Sequence, residues 1–417
     1  MANNRKNGHL IWNRRISQLL QRLEEGKVDA ESFWQEVSLL DVPEISNIPG
    51  IRFERDVTFL WRASGPLQGV YLRLNRVTDK TAVNTRMMRQ VCNTNVWTLT
   101  IRLPSPFCGS YSVAEIPAGI SGHEWSLLGS RFSSLKSLPD SLNCTPGIVV
   151  RHNYPESVLS LDHAPSMKEW HPLGKIIRGR IVSFNKPLGE ASYRMRLYIP
   201  DRSPSSRMGL LILPDADIWI DRLGLLLALE QAAEFGRIPP VAVIGIDSPG
   251  EAERISFLGK GKSLVARIAD TLLPELRKDF PLLQKIHRSK TVLAGQSLSG
   301  ILALMGACHA PDTFGLVLSH SPSMWWRPGR NVRPVDFPRS EQPWISEQLL
   351  YLPPHNVRIH LAVGSLEGDM VFHVSQLHHQ LEYAGINSSV AVYTGGHDYA
   401  WWRSALIDGL ALLKRQP

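Results

Sequence analysis

The sequence predicts an α/β fold over its C-terminal part, preceded by a smaller all-β domain. From about residue 172, apolar strands alternate with amphipathic helices, a pattern typical of a mostly parallel sheet covered on both faces. Between residues 55 and 116 apolar side chains instead recur with a period of two, which predicts a small antiparallel sandwich. The 417 residues suffice for two or three domains. We therefore predict an N-terminal domain over 1–150, a linker over 151–171 and the α/β domain over 172–417.

Composition and charge narrow the class of protein. Hydrophobic residues make up 43% and charged residues 20% of the chain, as in ordinary globular proteins, which argues against disorder, collagen and coiled coil. Residues 1–10 are polar and basic, without the apolar core of a signal peptide, and the apolar runs are too short to span a membrane. The cysteines show no metal-ligand spacing and favour a reducing compartment: Cys92, Cys108, Cys144 and Cys308. We expect a cytoplasmic protein that binds neither membranes nor nucleic acid.

The N-terminal region begins with two predicted helices within residues 11–37, separated at Gly26. Apolar side chains at i, i+3, i+4 and i+7 define the first: Ile16, Leu19, Leu20 and Leu23. Strands with period-two patterning follow at 55–62, 68–76, 96–103 and 109–116. Residues 119–170 show no clear periodicity, which predicts a long connection.

The α/β region contains five predicted helices and eight predicted strands. The strands are 176–184, 191–199, 208–213, 241–246, 291–294, 314–319, 357–363 and 388–393. The helices are 221–235, 263–277, 298–309, 370–384 and 400–414.

Basic residues are concentrated in one segment of a chain whose net charge is +8. Residues 171–210 contain eight Lys or Arg against only Glu190 and Asp201. Such a surplus can concentrate anionic ligands, but it is equally typical of a solvated strand face with alternating charges. The sequence leaves both interpretations open.

The strongest chemical motif is TVLAGQSLSG at residues 291–300. An apolar strand ends in Gly-x-Ser and a helix begins at once, as in the nucleophile elbow of α/β-hydrolases. Ser297 is therefore the candidate nucleophile, and the N–H of Leu298 is placed to stabilise an oxyanion. One departure is that Ser299 stands where Gly-x-Ser-x-Gly has its second glycine, with Gly300 one place later.

A serine hydrolase also needs a histidine and an acid after later strands. His397, in TGGHDY (394–399), follows the strand 388–393. The acid should follow the strand 357–363, where either Glu367 or Asp369 could orient the imidazole. A second oxyanion donor is expected in the loop after strand 208–213, and the N–H of Asp217 is the candidate.

These residues, together with others along most of the chain, give the sequence a resemblance to the enterochelin esterases, which open ferric siderophore trilactones in the cytoplasm. The motifs that carry it are VTFLWR (57–62), NRVTD (75–79), VW (96–97), GSY (109–111), GQS (295–297), FG (314–315), SMWW (323–326), GGHD (395–398) and WR (402–403). The resemblance implies Ser297 as nucleophile, His397 as base and Glu367 as acid. It also implies an immunoglobulin-like early-set fold for the N-terminal domain.

The chain departs from the family pattern at three positions. Ala216 replaces the glycine of the oxyanion loop, Ser299 replaces the glycine after the elbow, and Phe257 stands where the family has Glu. An alanine at positive φ would cost about 1 kcal/mol or more. We expect these changes to affect substrate preference and rate more than reaction class.

The expected activity is hydrolysis of the seryl lactone bonds of a ferric catecholate such as enterobactin, with no cofactor because the iron belongs to the substrate. Arg254, Trp219 and Trp326 are candidate substrate contacts, and Trp325 is an equally balanced choice between substrate and core. Two alternatives remain: a general carboxylesterase or acyltransferase of the same fold, and a siderophore-binding protein without hydrolysis. The sequence does not indicate an oligomeric state.

Overall fold

The computed structural model describes residues 14–78, 87–119, 136–150, 155–171, 174–189, 191–201, 207–330 and 334–414. The chain forms two compact units, Met1–Ala164 and Pro165–Pro417. Several sequence predictions fall wholly or partly outside the described residues: the polar segment 1–10, the start of the helix in 11–37, Asp79, Glu190 and Arg202.

The first unit begins with the two predicted helices, α1 (Arg15–Glu24) and α2 (Ala30–Val37). The four apolar side chains of the first pattern are buried along one face of α1: Ile16, Leu19, Leu20 and Leu23. The carboxylate of Asp29 caps α2 by accepting from the N–H of Ser32 at 2.7 Å. Gly26 lies between the helices at φ 69°, where glycine is unstrained. The helix prediction is confirmed for the described residues.

Strands make up most of the remainder of this unit. They are β1 (Glu44–Ile48), β2 (Ile51–Arg62), β3 (Leu67–Leu74), β4 (Arg89–Gln90), β5 (Val96–Pro104), β6 (Cys108–Pro117), β7 (Ser137–Leu138), β8 (Ile148–Val149) and β9 (Pro155–Ser160). Among the described residues they form two antiparallel sheets, ordered β1-β2-β5-β4 and β3-β6-β9-β8, with β7 beside β6. The four strands predicted from period-two patterning are all present.

Side chains from the two sheets pack against each other. The rings of Phe59 on β2 and Tyr111 on β6 lie edge to face at 5.1 Å, and the indole N–H of Trp61 donates to Glu115 at 2.8 Å. Tyr111 donates to the carboxylate of Asp140 at 2.8 Å, which ties the segment 136–150 to the sheet. Burial of Tyr111 raises the pKa of its hydroxyl, with the charge of Asp140 as the second cause. Aromatic packing therefore joins the two sheets.

The expectation of a long connection over 119–170 was wrong for β9. Residues 157–160 of this strand pair with β6 from Cys108 to Tyr111, and the strand belongs to the first unit. The strand is short and follows no clear alternation, so its pairing partner stabilises it more than its own pattern does. Residues 120–135 and 151–154 lie outside the described ranges, and the predicted domain boundaries remain predictions.

The second unit contains a mixed sheet of eight strands within the described residues. The strands are β10 (Arg180–Pro187), β11 (Ser192–Ile199), β12 (Gly209–Pro214), β13 (Val241–Ile246), β14 (Thr291–Gln296), β15 (Leu316–His320), β16 (Arg358–Gly364) and β17 (Ser388–Tyr393). Their order is β10-β11-β13-β12-β14-β15-β16-β17. β11 pairs antiparallel with both β10 and β13, whereas β12 to β17 all run parallel to one another.

Helices follow most of these strands and cover the sheet. They are α3 (Leu225–Glu234), α4 (Glu251–Leu258), α5 (Lys262–Ala266), α6 (Leu273–Asp279), α7 (Leu298–His309), α8 (Trp344–Tyr351), α9 (Asp369–Tyr383) and α10 (Tyr399–Ala411), with π-helical turns at Asp217–Arg222 and Arg267–Leu272. The predicted alternation is confirmed, but α4 and α8 were missed. Both are short and carry few buried residues in a regular spacing, so periodicity does not reveal them.

The central strands explain where the site lies. β12, β13 and β14 are buried along their whole length, as expected for strands covered on both faces. Because β12, β14, β16 and β17 are parallel, their carboxyl ends meet at one edge of the sheet. The loops carrying Asp217, Ser297, Glu367 and His397 all begin at that edge.

Candidate active site

The turn after β14 holds Ser297 in a strained backbone conformation. Ser297 lies between β14 and α7 with φ 55° and ψ −120°, which costs on the order of 1–3 kcal/mol. Its N–H donates to the carbonyl of His320 at 2.9 Å, and its carbonyl accepts from the N–H of Ser323 at 3.0 Å. Contacts from the last residue of β15 and from the segment after it therefore fix this serine at the carboxyl edge of the sheet.

Two glycines allow the tight turn. A Cβ atom at Gly295 would lie 2.1 Å from the carbonyl oxygen of Ser299, and one at Gly300 would lie 3.2 Å from Pro322 Cα. Ser299 is fully buried, and its hydroxyl oxygen lies 2.9 Å from Asp215 Oδ2 while accepting from the N–H of Gln296 at 3.1 Å. The serine after the elbow is thus accommodated by polar partners, and Gly300 provides the close approach of helix to strand.

Glu367 and His397 are in contact at the ends of β16 and β17. Glu367 Oε2 lies 2.6 Å from His397 Nδ1, and the Glu367 side chain is only 2% exposed. Its other oxygen, Oε1, accepts from the N–H of Gly364 at 2.7 Å and from the hydroxyl of Ser321 at 2.5 Å. A buried carboxylate held in this way can orient an imidazole and stabilise its protonated form.

Asp369, the other candidate acid, has a different partner. It is the first residue of α9, and its carboxylate accepts from Arg339 Nε at 2.5 Å with 52% of the side chain exposed. The sequence left the choice between the two acids open. In the structure Glu367 is the carboxylate that contacts His397.

The loop that carries His397 packs closely on the end of β16. A Cβ atom at Gly364 would lie 2.5 Å from the carbonyl oxygen of Gly395 and 2.7 Å from that of Gly396. The N–H of Leu366 donates to Gly395 at 3.0 Å, and the indole of Trp401 donates to Gly396 at 2.6 Å. The absence of a side chain at Gly364 therefore lets the acid and the histidine reach each other.

The two candidate oxyanion donors each begin a helix. Leu298 is the first residue of α7 and Asp217 the first of the π-helical turn after β12, so neither N–H has an acceptor within its own helix. The concern about Ala216 was wrong, because its φ is −67° in the ordinary helical region. The positive φ of this loop, 59°, falls on Asp215, a residue type that tolerates it better than alanine.

Arg254 binds the oxyanion loop rather than pointing freely into the site. Its Nε and Nη2 each donate to the carboxylate of Asp215 at 2.7 Å, and Asp215 is 1% exposed. Burial lowers the pKa of Arg254, but the hydrogen bonds and charge of Asp215 outweigh burial and raise it. Gln296 also donates to Asp215 at 2.8 Å. The guanidinium predicted for substrate therefore has a protein carboxylate as its main partner.

Trp219 and Trp326, which the sequence predicted to contact substrate, lie in the core instead. Trp219 is fully buried, and its indole N–H donates to Gln296 Oε1 at 3.1 Å. Trp326 is 8% exposed and packs edge to face on Trp344 at 5.3 Å. Both indoles therefore belong to the core, Trp219 from the π-helical turn after β12 and Trp326 from the segment after β15. Trp325 is only partly buried and packs against the core of this unit.

Phe257, the third departure from the family pattern, is a core residue. It is 3% exposed, and its ring lies 4.4 Å from that of Tyr193 on β11. An apolar ring is suited to this position because no charge has to be buried there.

Most of the basic segment is engaged in ion pairs. The paired residues and their partners are Lys175 with Glu234, Arg178 with Glu230, Lys186 with Glu275, and Arg194 and Arg196 with both Asp221 and Asp247. These contacts favour the interpretation of a charged strand face with local partners. They weaken the case for a segment that attracts anions.

Three polar residues around the nucleophile and the acid were not predicted from the sequence. Ser323 Oγ lies 3.2 Å from Ser297 Oγ, Gln296 links Asp215 to Tyr399, and Ser321 binds Glu367. Ser323 and Gln296 belong to the motifs SMWW (323–326) and GQS (295–297), and membership of these motifs is the one sequence feature from which their place in the site could have been predicted. Ser321 had none, because its contact joins residues 46 positions apart.

Within the part of the chain that the structure describes, no helix is both long and apolar enough to span a bilayer, and no group of three His, Cys, Asp or Glu side chains could hold a metal ion. Cys92, Cys108, Cys144 and Cys308 are all free thiols.

A serine at a strand-to-helix elbow, with a Glu–His pair at the same edge of a mixed sheet, defines the class of α/β esterases. The family model described as "Enterochelin esterase, N-terminal" matches residues 56–170, and the one described as "Putative esterase" matches residues 188–413. The chain belongs to the enterochelin esterase family.

Two relatives illustrate the similarity in sequence. The iron(III) salmochelin esterase of Escherichia coli O6:H1 (strain CFT073) is 52% identical over 400 residues, which cover 96% of this chain and 97% of that protein. The iron(III) enterobactin esterase of Dickeya dadantii (strain 3937) is 27% identical over 418 residues, with 92% of each chain covered.

Solved structures agree on the fold. The enterobactin esterase from Shigella flexneri, crystallised in the presence of enterobactin, matches with a TM-score of 0.77 at 24% identity and covers 93% of this chain and 98% of its own. The ferric enterobactin esterase from Salmonella typhimurium matches with a TM-score of 0.76 at 25% identity, covering 92% and 98%.

Proposed function

We propose that this protein is a serine esterase that hydrolyses the ester bonds of a ferric catecholate siderophore. The observation that carries the proposal is the 2.6 Å contact of Glu367 with His397 at the sheet edge that also bears the strained Ser297. The 52% identity to an iron(III) salmochelin esterase supports the substrate class.

In the proposed mechanism Ser297 Oγ attacks the carbonyl carbon of a seryl ester while His397 Nε2 accepts the hydroxyl proton. Glu367, at His397 Nδ1, stabilises the imidazolium that results. The ester C–O bond breaks, and the imidazolium protonates the departing alkoxide. Water, deprotonated by His397, then attacks the acyl-enzyme and releases the carboxylic acid with Ser297 restored.

The N–H groups of Leu298 and Asp217 are the proposed oxyanion donors. Each begins a helix, whose dipole adds to the stabilisation of negative charge. The bidentate pair of Arg254 with Asp215 supports this assignment, since it holds the loop that presents Asp217.

Iron(III) salmochelin is the first substrate to test and iron(III) enterobactin the second. The order follows the identities of 52% and 27% to relatives named for each. Trp325, partly exposed in the segment after Ser323, is the aromatic side chain proposed to meet a catechol ring. Cleavage of the ester backbone would weaken chelation and ease release of the metal.

Three further proposals complete this function. The protein needs no cofactor of its own, because the iron arrives with the substrate, and it acts in the cytoplasm. The first unit has an immunoglobulin-like early-set fold, which its two packed antiparallel sheets support.

The two alternatives have less support. A non-hydrolysing binder was suggested by Ala216 and Ser299, but Ala216 has an unstrained φ and Ser299 has buried polar partners. A general carboxylesterase would need only the residues matched by the second family model. The match of the N-terminal model to residues 56–170 favours a specialised substrate.

The test is to incubate the full chain with ferric and iron-free salmochelin and enterobactin and to follow linear products by mass. We expect ester cleavage by the wild type and none by Ser297→Ala. A general carboxylesterase would cleave simple aryl esters faster than either siderophore. A binder would retain the ferric siderophore uncut, and that result would remove the proposal.

A further inference from the structure

A chain of hydrogen bonds leads from Trp402 to the carboxylate of Glu367. The indole N–H of Trp402, on α10, lies 2.9 Å from Ser321 Oγ, and Ser321 Oγ lies 2.5 Å from Glu367 Oε1. Trp402 is 3% and Ser321 0% exposed. Water therefore has little access to these two bonds, and the three side chains depend on one another for hydrogen bonding.

The direction of this chain is fixed by the chemistry of its members. An indole N–H can only donate, so Ser321 Oγ must accept from Trp402. The single hydroxyl proton of Ser321 is then directed at Glu367 Oε1, and a carboxylate accepts it. Oε1 also accepts from the N–H of Gly364. Both donors on Oε1 leave Oε2 for His397 Nδ1.

Ser321 is held in an unfavourable backbone conformation. Its φ is 44°, in the left-handed region where glycine is unstrained, and its N–H donates to the carbonyl of Ala362 at 2.7 Å. A strained serine where glycine would fit better indicates that the hydroxyl has a use.

Trp402 also contacts His397, the imidazole that Glu367 orients. Its ring meets the imidazole of His397 edge to face, with centroids 4.8 Å apart and planes at 84°. One side chain therefore contacts the imidazole directly and, through Ser321, is connected by hydrogen bonds to the carboxylate that orients it.

We propose that Ser321 and Trp402 are positioning residues for the acid–histidine pair: Trp402 orients the Ser321 hydroxyl, which fixes the rotation of the Glu367 carboxylate so that Oε2 faces His397. This inference rests on the proposed esterase function. Without the Ser321 hydroxyl, Oε1 keeps only the N–H of Gly364 as a donor. The carboxylate is then held less firmly about its last bond, and the imidazole is oriented a smaller fraction of the time.

The experiment compares Ser321→Gly, Ser321→Ala and Trp402→Phe in the full chain. The glycine variant keeps the fold secure because it accepts φ 44°, and the phenylalanine keeps an aromatic ring but removes the N–H. Ser346→Ala is the matched control, since Ser346 is 1% exposed and its hydroxyl has no hydrogen-bond partner in the described part of the chain.

We expect both Ser321 variants to lower kcat about ten- to a hundredfold with KM nearly unchanged, because misorientation affects the chemical step. Trp402→Phe should lower kcat less, and the double variant with Ser321→Gly should fall no further than Ser321→Gly alone. The low-field proton resonance of the His397–Glu367 hydrogen bond should shift or broaden in Ser321→Gly and stay in place in Ser346→Ala.

A Ser321→Gly variant with wild-type kcat and an unmoved resonance would overturn the inference. If the fold-loss of kcat in the double variant equals the product of the losses in the two single variants, the two residues act independently. That result would overturn the role proposed for Trp402. The Ser297→Ala variant distinguishes failure of this inference from failure of the proposed function. If Ser297→Ala is inactive while Ser321→Gly is fully active, only the inference fails. If Ser297→Ala still hydrolyses the siderophore, the proposed function fails as well.

Discussion

Arg254 holds the carboxylate of Asp215 through two hydrogen bonds of 2.7 Å each. Asp215 lies at φ 59°, two residues before the candidate oxyanion donor Asp217, and its carboxylate also accepts from Gln296, the neighbour of Ser297. A buried carboxylate at this point needs a cation to be stable. The ion pair therefore joins the oxyanion loop to α4, and the hydrogen bond from Gln296 joins the same carboxylate to the strand that ends at the nucleophile.

Removing this guanidinium should destabilise the protein and impair the reaction with every ester. Arg254→Ala leaves Asp215 buried without its cation, at a cost of about 3 kcal/mol in the free energy of unfolding. Chemical denaturation measures this, with Arg339→Ala as control. Because Arg339 is an exposed partner of Asp369, its substitution should lower the free energy of unfolding by less than about 0.5 kcal/mol.

The same variant distinguishes a structural role from direct contact with substrate. We expect kcat to fall together for a ferric siderophore and for a neutral aryl ester, because the loop serves both. A rise in KM for the ferric siderophore alone would restore the direct contact that the sequence predicted for Arg254.

The nucleophile and base should act as one unit. Ser297→Ala and His397→Ala should each lower kcat by several orders of magnitude, and the double variant should lose little more. Steady-state kinetics with an aryl ester and circular dichroism for folding check this. Activity within about tenfold of wild type in either single variant would contradict the assignment.

The two candidate acids provide a matched pair of substitutions. Glu367→Gln removes the charge at 2.6 Å from His397, whereas Asp369→Asn changes an exposed carboxylate bound to Arg339. We expect the first to lower kcat at least about a hundredfold and the second to leave it within about twofold. The reverse ranking would reassign the acid to Asp369.

His320 should make the protein less stable in acid. Burial, and next the neighbouring His360, lower the pKa of His320 to about 3 from 6.5. The unfolded chain therefore binds a proton below about pH 6.5 that the native chain does not bind. The contribution of neutral His320 to the free energy of unfolding is therefore fully present above pH 6.5. It is lost as the pH falls towards 3, by up to about 1.4 kcal/mol per pH unit.

Denaturation from pH 7 to pH 4 tests this contribution. His320→Gln should flatten the loss of stability on the acid side, whereas a change at the exposed His379 should leave the slope as in wild type. An unchanged slope in His320→Gln would show that other groups account for the acid sensitivity.

Local patterns in the sequence determined the elements and the nucleophile. The period of two in β2, the helical spacing of Ile16 to Leu23 and the Gly-x-Ser turn are properties of a few consecutive residues. Hydrophobic burial and backbone sterics act on such short stretches directly, so they can be predicted without knowledge of distant partners.

Contacts between distant residues were decided only by the tertiary structure. Glu367 and Asp369 both lie near the start of α9, and only the fold determines which of the two carboxylates faces His397. His397 is 30 positions away from Glu367 in the sequence. Whether Arg254 and Trp219 serve substrate or core depends on Asp215 and Gln296, which lie 39 and 77 positions away. A charged or aromatic side chain carries the same chemistry in either role. Packing, which brings its partner within hydrogen-bond distance, assigns the role because a buried polar group must find a partner.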